Sequence, residues 1–293
     1  MRELAVIDMI KRRAGQPPGG VKKGIGDDCA VLADGRGGYI LWASDMLTEG
    51  VHFSVKRAGY ARIGRKAVAV NISDIAAMGG EPEHILVSLG VPSGIRDSSI
   101  RAIYDGIFSI CGDYGMTVLG GDLTASRSLV IDVSVIGRAS RGRLTTRDGA
   151  RVGDKLLITA PCRNGRREHL DFRPRLDQAR YLTRHYRVNA MIDVSDGIAM
   201  DLGRMASASR VGARLYTADI PLSRGLCIED ALFYGESFEL LFSMKPGDAE
   251  ELTRKKKTEY AVIGTIVPEK KGLIRVDPGG RESPLKMKGY RHL

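Results

Sequence analysis

Arg62-Ile-Gly-Arg-Lys-Ala-Val-Ala-Val-Asn-Ile-Ser-Asp-Ile-Ala-Ala-Met78 carries both the core of this chain and its chemistry. The run of Ala, Ile and Val predicts a helix over Arg62 to Met78, stopped by Gly79-Gly80. Within it, Ala67 to Met78 is nearly free of charge apart from Asp74, and Asn71 lies three residues earlier on the same face. A carboxylate on so apolar a helix is expensive to bury unless it is paired or bound to a cation.

Working outward, the flanking segments read as strands and one further helix. Tyr39 to Ala43 is a short apolar run, a strand expected to end at Ser44-Asp45, and Ile85 to Val91 is another. Ile100, Ile103, Ile107, Ile110 and Tyr114 recur at helical spacing, so this helix presents one face to a sheet. Val118-Leu119 leads into Gly120-Gly121-Asp122, and Leu129 to Gly137 alternates as a half-buried strand does. A polar stretch rich in Arg and Gly, Ser140 to Thr146, marks a boundary. Beyond it, Leu156 to Thr159, Met191 to Asp193, Phe238 to Met244 and Tyr260 to Ile266 read as strands. Asp201 to Ser209 reads as a helix stopped by Gly212, and Asp248 to Lys256 as a second helix. Both halves mix α and β, which implies two layered domains.

Composition narrows the function. The 293 residues are 43% hydrophobic and 27% charged, which suits a globular protein. No apolar run approaches the roughly 20 residues of a membrane span. Met1 to Gly15 reads as a short amphipathic helix without the apolar core and small-residue cleavage site of a signal peptide, so a cytoplasmic protein is expected. Cys29, Cys111, Cys162 and Cys227 form no Cys-x-x-Cys pair and the five histidines show no ligand spacing, which argues against zinc and a disulfide framework. The net charge of +10 is concentrated in Arg138 to Arg187, where fourteen Lys/Arg stand against five Asp/Glu. This stretch lacks the interleaved aromatics that stack on single-stranded nucleic acid. It reads as a solvated basic surface or as contact with nucleotide phosphates.

The aspartates are the informative residues. Gly26-Asp27-Asp28, Ser44-Asp45, Ser73-Asp74, Gly121-Asp122 and Asp193-Val-Ser-Asp196-Gly197 all set carboxylates among small or apolar neighbours at element ends. Taken singly, Asp27, Asp122 or Asp196 reads equally well as a helix cap or turn residue. Taken together they form a set. Two unit charges 4 Å apart repel by about 4 kcal/mol at an effective dielectric of 20, so a converged set needs cations. With no Cys or His set beside them, a hard cation with oxygen ligands is expected, and Mg2+ fits best. Magnesium that holds phosphates points to phosphoryl transfer. The chain has no Walker loop, dinucleotide fingerprint, protein-kinase signature or Gly-x-Ser-x-Gly elbow, so any ATP binds by another route.

The motifs also resemble a known family. Ile25-Gly-Asp-Asp-Cys-Ala, Ser44-Asp-Met-Leu-Thr-Glu-Gly-Val-His52-Phe and Asn71-Ile-Ser-Asp-Ile-Ala-Ala-Met-Gly are similar to thiamine-monophosphate kinases. So are Gly120-Gly-Asp, Thr146-Arg147-Asp-Gly-Ala, Asp193-Val-Ser-Asp-Gly, Gly235-Glu-Ser-Phe-Glu-Leu and Lys288-Gly-Tyr-Arg-His, in family order over nearly the whole chain. The resemblance implies an α+β, two-domain fold of the aminoimidazole-ribonucleotide synthetase type. Residues 1–138 would form an N-terminal sheet domain that binds metal and ATP and pairs in a homodimer. Residues 139–293 would form a mixed α/β domain that completes the nucleotide and substrate site. It also implies direct transfer of the ATP γ-phosphate onto thiamine monophosphate, with no general base and no covalent nucleophile. Several Mg2+ ions would be held by Asp28, Ser44, Asp45, Asp74, Asp122, Asp193 and Asp196. Tyr104, Gly121, Asp122, Arg147 and Ser195 would contact ATP, and His52, Glu236 and Met287 the thiamine end. Neither nucleic acid nor a membrane is implied as a partner.

From the residues alone, His52 between Val51 and Phe53 reads as a core histidine, Arg147 as one surface arginine among many, and Glu236 as a turn residue. The resemblance assigns all three to the site. Three departures stand out. Ala160-Pro-Cys-Arg-Asn-Gly-Arg-Arg-Glu-His169 shortens the segment after Gly153-Asp154-Lys-Leu-Leu-Ile-Thr159 and makes it basic, which leaves two readings: nucleotide closure is weakened, or Arg163, Arg166 and Arg167 replace it by direct charge contact. Ser237 stands where the family has an aspartate, and Met287 where it often has an aromatic. Two alternatives stay open: a paralogous ATP-using enzyme with another small substrate, and a catalytically idle binding scaffold.

Overall fold

The computed structural model describes residues 2–15, 17–163 and 169–290. After an amphipathic helix α1 (Arg2–Ala14), a six-stranded sheet is built from β1 (Val21–Lys23), β2 (Ala30–Ala33), β3 (Gly38–Thr48), β4 (Glu81–Pro92), β5 (Thr117–Ser126) and β6 (Val130–Ser140), in the order β1-β2-β3-β6-β4-β5. Its pairs are antiparallel except β4 with β5, which are parallel and joined by a helix. The helices between these strands are α2 (Val55–Ala58), α3 (Tyr60–Ala77) and α4 (Asp97–Tyr114). They cover one face of the sheet. Leu41, Ala43, Val87, Leu89, Ile131, Val133 and Val135 point into it at period two, and Ile63, Val68, Ile72, Ile75, Ile103, Ile107 and Ile110 answer from the helices.

The second sheet has seven strands: β7 (Lys155–Thr159), β8 (Ala190–Asp193), β9 (Val211–Tyr216), β10 (Leu240–Met244), β11 (Tyr260–Pro268), β12 (Leu273–Val276) and β13 (Glu282–Pro284). Their order is β13-β12-β9-β11-β7-β10-β8. Helices α5 (Leu176–His185), α6 (Ile198–Ser209), α7 (Ile228–Phe233) and α8 (Pro246–Lys255) accompany it. Strands β8 and β10 are buried on both faces, so β10 shows no alternation: Leu240 and Phe242 join the core around α3, and Leu241 the core under α6.

Helix α3 is the pivot. It packs on α4, lies under β3 and β6, and also touches α5 and β8 of the second layer. A helix so enclosed must be apolar nearly all round, which is what its sequence shows.

Several sequence expectations are corrected. Strand β3 does not end at Ser44-Asp45 but runs on to Thr48, paired along its whole length with β6. Strand β5 likewise runs through Gly120-Gly121-Asp122. Gly212 is not the stop of α6: Arg210, in the left-handed region at φ 55°, caps the helix, and Gly212 already lies in β9. The short strands β1, β2, β9, β12 and β13 and helices α5 and α7 carry patterns too brief or too polar to read from periodicity.

Candidate active site

Where α3 meets β8, the two layers enclose a cavity of about 330 Å³. Asp74 comes to it from α3 and Asp193 from the last position of β8, and Ser73 Oγ donates a 2.5 Å hydrogen bond to the Asp193 carboxylate. Asp28 enters from the turn before β2. Oxygens of Asp28, Asp74 and Asp193 all lie within 4.8 Å of one another. Ser44 and Asp45, in the second half of β3, and Ser195 and Asp196, just after β8, complete this acidic side.

The electrostatics follow from crowding. Burial, then repulsion from Asp45, Asp193 and Asp28, pushes the Asp74 carboxyl well above its ordinary range. Burial and Asp28 do the same to Asp193 against the Ser73 bond. Asp45 rises to about 6, through burial and the nearby Asp132, Asp28 and Asp196, although a hydrogen bond with Asp74 holds it down. Asp27 rises to about 6 through burial and Asp28, opposed by Lys23 and Arg147.

The main compensating cation is Arg147. Its guanidinium binds both Asp28 oxygens, at 2.5 and 3.3 Å, and its backbone N–H donates to Asp27 at 3.2 Å. Burial alone would lower Arg147, but Asp28 and Asp27 outweigh it and raise the guanidinium. Lys23 adds an ion pair to Asp27 at 3.3 Å. On the far side, Arg204 clamps Asp196 at 2.6 Å and the fully buried Asp201 at 2.7 Å, fixing the loop after β8.

The opposite wall is built by the loop 234–238. Gly235 lies so close to Ser195 that a Cβ there would sit 2.0 Å from its carbonyl oxygen. The Glu236 N–H donates to that same oxygen at 2.8 Å, and the Phe238 N–H to Val194 O at 2.9 Å. Glu236 and Phe238 both adopt left-handed φ, 65° and 51°. Non-glycine residues in that region cost about 1–2 kcal/mol each and persist where surrounding contacts hold them. Here the result is a Glu236 side chain on the cavity wall beside His52, whose Nδ1 accepts the Thr48 N–H at 3.0 Å.

Of the residues that the resemblance assigns to the site, ten line this cavity: Asp28, Ser44, Asp45, His52, Asp74, Arg147, Asp193, Ser195, Asp196 and Glu236; Asp27, singled out with the aspartates, lines it too. Four do not. Asp122 and Gly121 lie exposed in the edge strand β5, where Gly121 (φ 155°) has no room for a Cβ against Val87 O. Tyr104 sits on α4 against the Phe108 ring. Met287 packs over Gly203 of α6, and Tyr290, not Met287, reaches the cavity. Arg163 turns inward to the buried Glu239 at 3.4 Å and to Arg173 O at 3.1 Å, alongside Arg175, which grips Glu239 at 2.6 Å. The charge contacts expected of it are therefore directed to the protein. Arg166 and Arg167 lie outside the described residues. Ser237 is buried, its hydroxyl 3.4 Å from Val194 O.

Lys66, His169 and Tyr234 are not legible as site residues, and Tyr290 is quoted only within the Lys288-Gly-Tyr-Arg-His motif, with no role assigned. Lys66 follows Arg65 at the charged start of α3, so nothing in the sequence marks it for burial.

The donor set is all oxygen, carboxylates with one hydroxyl. It fits a hard divalent cation and not a soft one.

The comparisons agree with this geometry. The family described as AIR synthase related protein matches through its N-terminal domain over residues 26–139 and its C-terminal domain over residues 129–277. That defines the class: a two-part α/β fold with the cleft between the parts. A thiamine-monophosphate kinase of Rhodopirellula baltica is 35% identical over 84% of this chain and 83% of its own, and one of Synechococcus elongatus is 32% identical over 91% and 90%. A solved structure of AaThiL complexed with AMPPCP and TMP superposes with a TM-score of 0.85 at 28% identity, covering 99% of this chain and 97% of that one. The chain belongs to the thiamine-monophosphate kinase family of AIR synthase related proteins.

Proposed function

We propose that the protein transfers the γ-phosphoryl group of ATP to the phosphate of thiamine monophosphate, giving thiamine diphosphate and ADP. The observation that carries this reading is the convergence of Asp28, Asp74 and Asp193 within 4.8 Å in one cavity, on a fold shared with a relative solved with AMPPCP and TMP. An oxygen of the acceptor phosphate forms a new bond to the γ-phosphorus as its bond to the β,γ-bridging oxygen breaks, and ADP leaves with that oxygen. The acceptor oxygen is already ionised near neutral pH, so no general base or covalent nucleophile is required.

Asp28, Ser44, Asp45, Asp74, Asp193 and Asp196 would hold Mg2+. Bound there, Mg2+ screens the phosphates and stabilises the charge of the transferred group. Arg147 and Ser195 orient the nucleotide phosphates. His52 and Glu236 take the organic end of the acceptor, and the aromatic surface that Met287 does not supply comes from Tyr290 and Tyr234 on the same wall.

The division of labour runs between residues 1–138 and 139–293, since among the described residues no strand pairs across the two sheets. A homodimer is supported by the uncovered face of the first sheet, where Trp42, Met46 and Leu86 are 48%, 58% and 46% exposed. Apolar patches of this kind mark interaction surfaces. In register, Asp122 lies level with Ser88, Asp132 and Met46 across that sheet. Pairing face to face about a two-fold axis sets β5 of one copy near β3 of the other. The partner's Asp122 would then complete the cation site from outside. No helix among the described residues is long and apolar enough to cross a membrane.

The test is chromatographic. Protein, ATP, MgCl2 and thiamine monophosphate are incubated with and without EDTA. EDTA-sensitive thiamine diphosphate is expected. Folded protein that binds ATP yet makes none would point to the paralogous enzyme with another acceptor; no ATP binding would point to the idle scaffold.

A further inference from the structure

Lys66 is fully buried in α3. Its ammonium has three protons and meets three acceptors: the His52 carbonyl oxygen at 3.0 Å, His169 Nδ1 at 2.7 Å and a Glu236 carboxylate oxygen. Every donor is satisfied, which is the condition for keeping a charge out of water. Burial pulls the Lys66 ammonium down, and Glu236 holds it up.

The ring of His169 is pushed down to about 4 by burial and by Lys66 and Arg62, against Asp171. It is therefore neutral near pH 7, with its proton on Nε2 and Nδ1 left as the acceptor for Lys66. Glu236 Oε2 lies 3.2 Å from the same Nδ1, so the Lys66 protons are what hold this nitrogen and the carboxylate together.

The three acceptors come from three separate pieces of chain: the turn after β3, the loop 234–238 and the segment before α5. Two of them, His52 and Glu236, line the cavity. We infer that Lys66 is a positioning residue for the acceptor substrate. It ties Glu236 and the His52 turn into one wall and thereby fixes where the cationic heteroaromatic end of the acceptor sits. This rests on the reading of Glu236 and His52 as the acceptor wall. Lys66 itself is enclosed and touches no substrate, and it bears on acceptor binding and not on the nucleotide.

The test is a double-mutant cycle with a spectroscopic control. Lys66→Met is expected to raise KM for thiamine monophosphate about tenfold and to move KM for ATP less than twofold, with the same change in the Glu236→Gln background shifting the acceptor KM less than twofold. Equal effects in both backgrounds, or an equal rise in both KM values, would reduce Lys66 to a structural residue. Lys66→Met/Glu236→Gln removes both charges and keeps the comparison possible should Lys66→Met alone fold poorly. Nitrogen NMR of His169 needs no turnover. In the wild type the ring stays neutral, protonated on Nε2, down to about pH 4, and in Lys66→Met its pKa rises as the Lys66 charge is lost, while burial and Arg62 still hold it down. An unchanged ring titration in Lys66→Met overturns the contact itself, whereas absence of product from wild-type protein overturns only the proposed reaction.

Discussion

Asp74 shows at the scale of one residue why this site needs cations. It is held on an apolar helix beside Asp45, Asp193 and Asp28, all competing for the same few ångströms. Asp74→Asn should therefore lower Mg2+-dependent turnover at least 100-fold while the metal-free protein melts no lower than the wild type, because one of the repelling charges is gone. Turnover within a few-fold of wild type would remove Asp74 from the site. The same physics sets a pH dependence. Asp201 is raised to about 7 by burial, and Asp74 and Asp193 are raised further than an ordinary carboxyl. An acid raised on folding contributes stability that is complete below its unfolded value, about 4, and is lost as pH climbs through the folded value. His169, depressed to about 4, contributes the opposite slope, but only below its unfolded value of about 6.5. Above pH 6.5 the carboxylates are left alone. In EDTA the melting temperature should fall from pH 6.5 to 8, and saturating Mg2+ should restore it at pH 8, by about 2.7 kcal/mol at 100 times Kd. A flat or rising melting curve in EDTA would mean that the carboxylates are compensated without metal.

At the scale of elements, the loop 234–238 does most to shape the acceptor wall, and it does so through backbone contacts. Its register on Val194 and Ser195 depends on Gly235. Gly235→Ala should displace Ser195 and Glu236 together, cost about 1–3 kcal/mol as an overpacked contact, and lower kcat/KM more than tenfold. Urea unfolding and steady-state kinetics measure the two effects; unchanged values for both would mean the loop accommodates a side chain and is not pinned. Elements also mark where periodicity misleads. Strands β3 and β5 continue through Ser44-Asp45 and Gly120-Gly121-Asp122, polar or glycine-rich runs that read as strand ends. They stay extended because β6 and β4 supply their hydrogen-bond ladders, a long-range pairing that no local window contains.

For the whole molecule, Asp122 lies outside the cavity of its own chain. If it acts across the two-fold axis, inactive Asp74→Asn and Asp122→Asn chains should complement. Random mixing of the two would yield one sound site in each mixed dimer and so about a quarter of wild-type activity. Inactive mixtures of verified mixed dimers would place Asp122 in the site of its own chain or outside the reaction. The sequence by itself determined the apolar helix with Asp74 on it, the all-oxygen donor set and the absence of a Walker-type loop, because these depend on residue type and near-neighbour spacing. The tertiary structure alone decided that Lys66 meets Glu236, 170 positions away, that Arg147 meets Asp28, 119 away, that Arg163 turns to Glu239, and that Tyr290 and not Met287 reaches the cavity. These are pairings between distant segments. Their partners are selected by how two sheets pack around one helix, and burial then decides which charges must be matched and which are left for a cation.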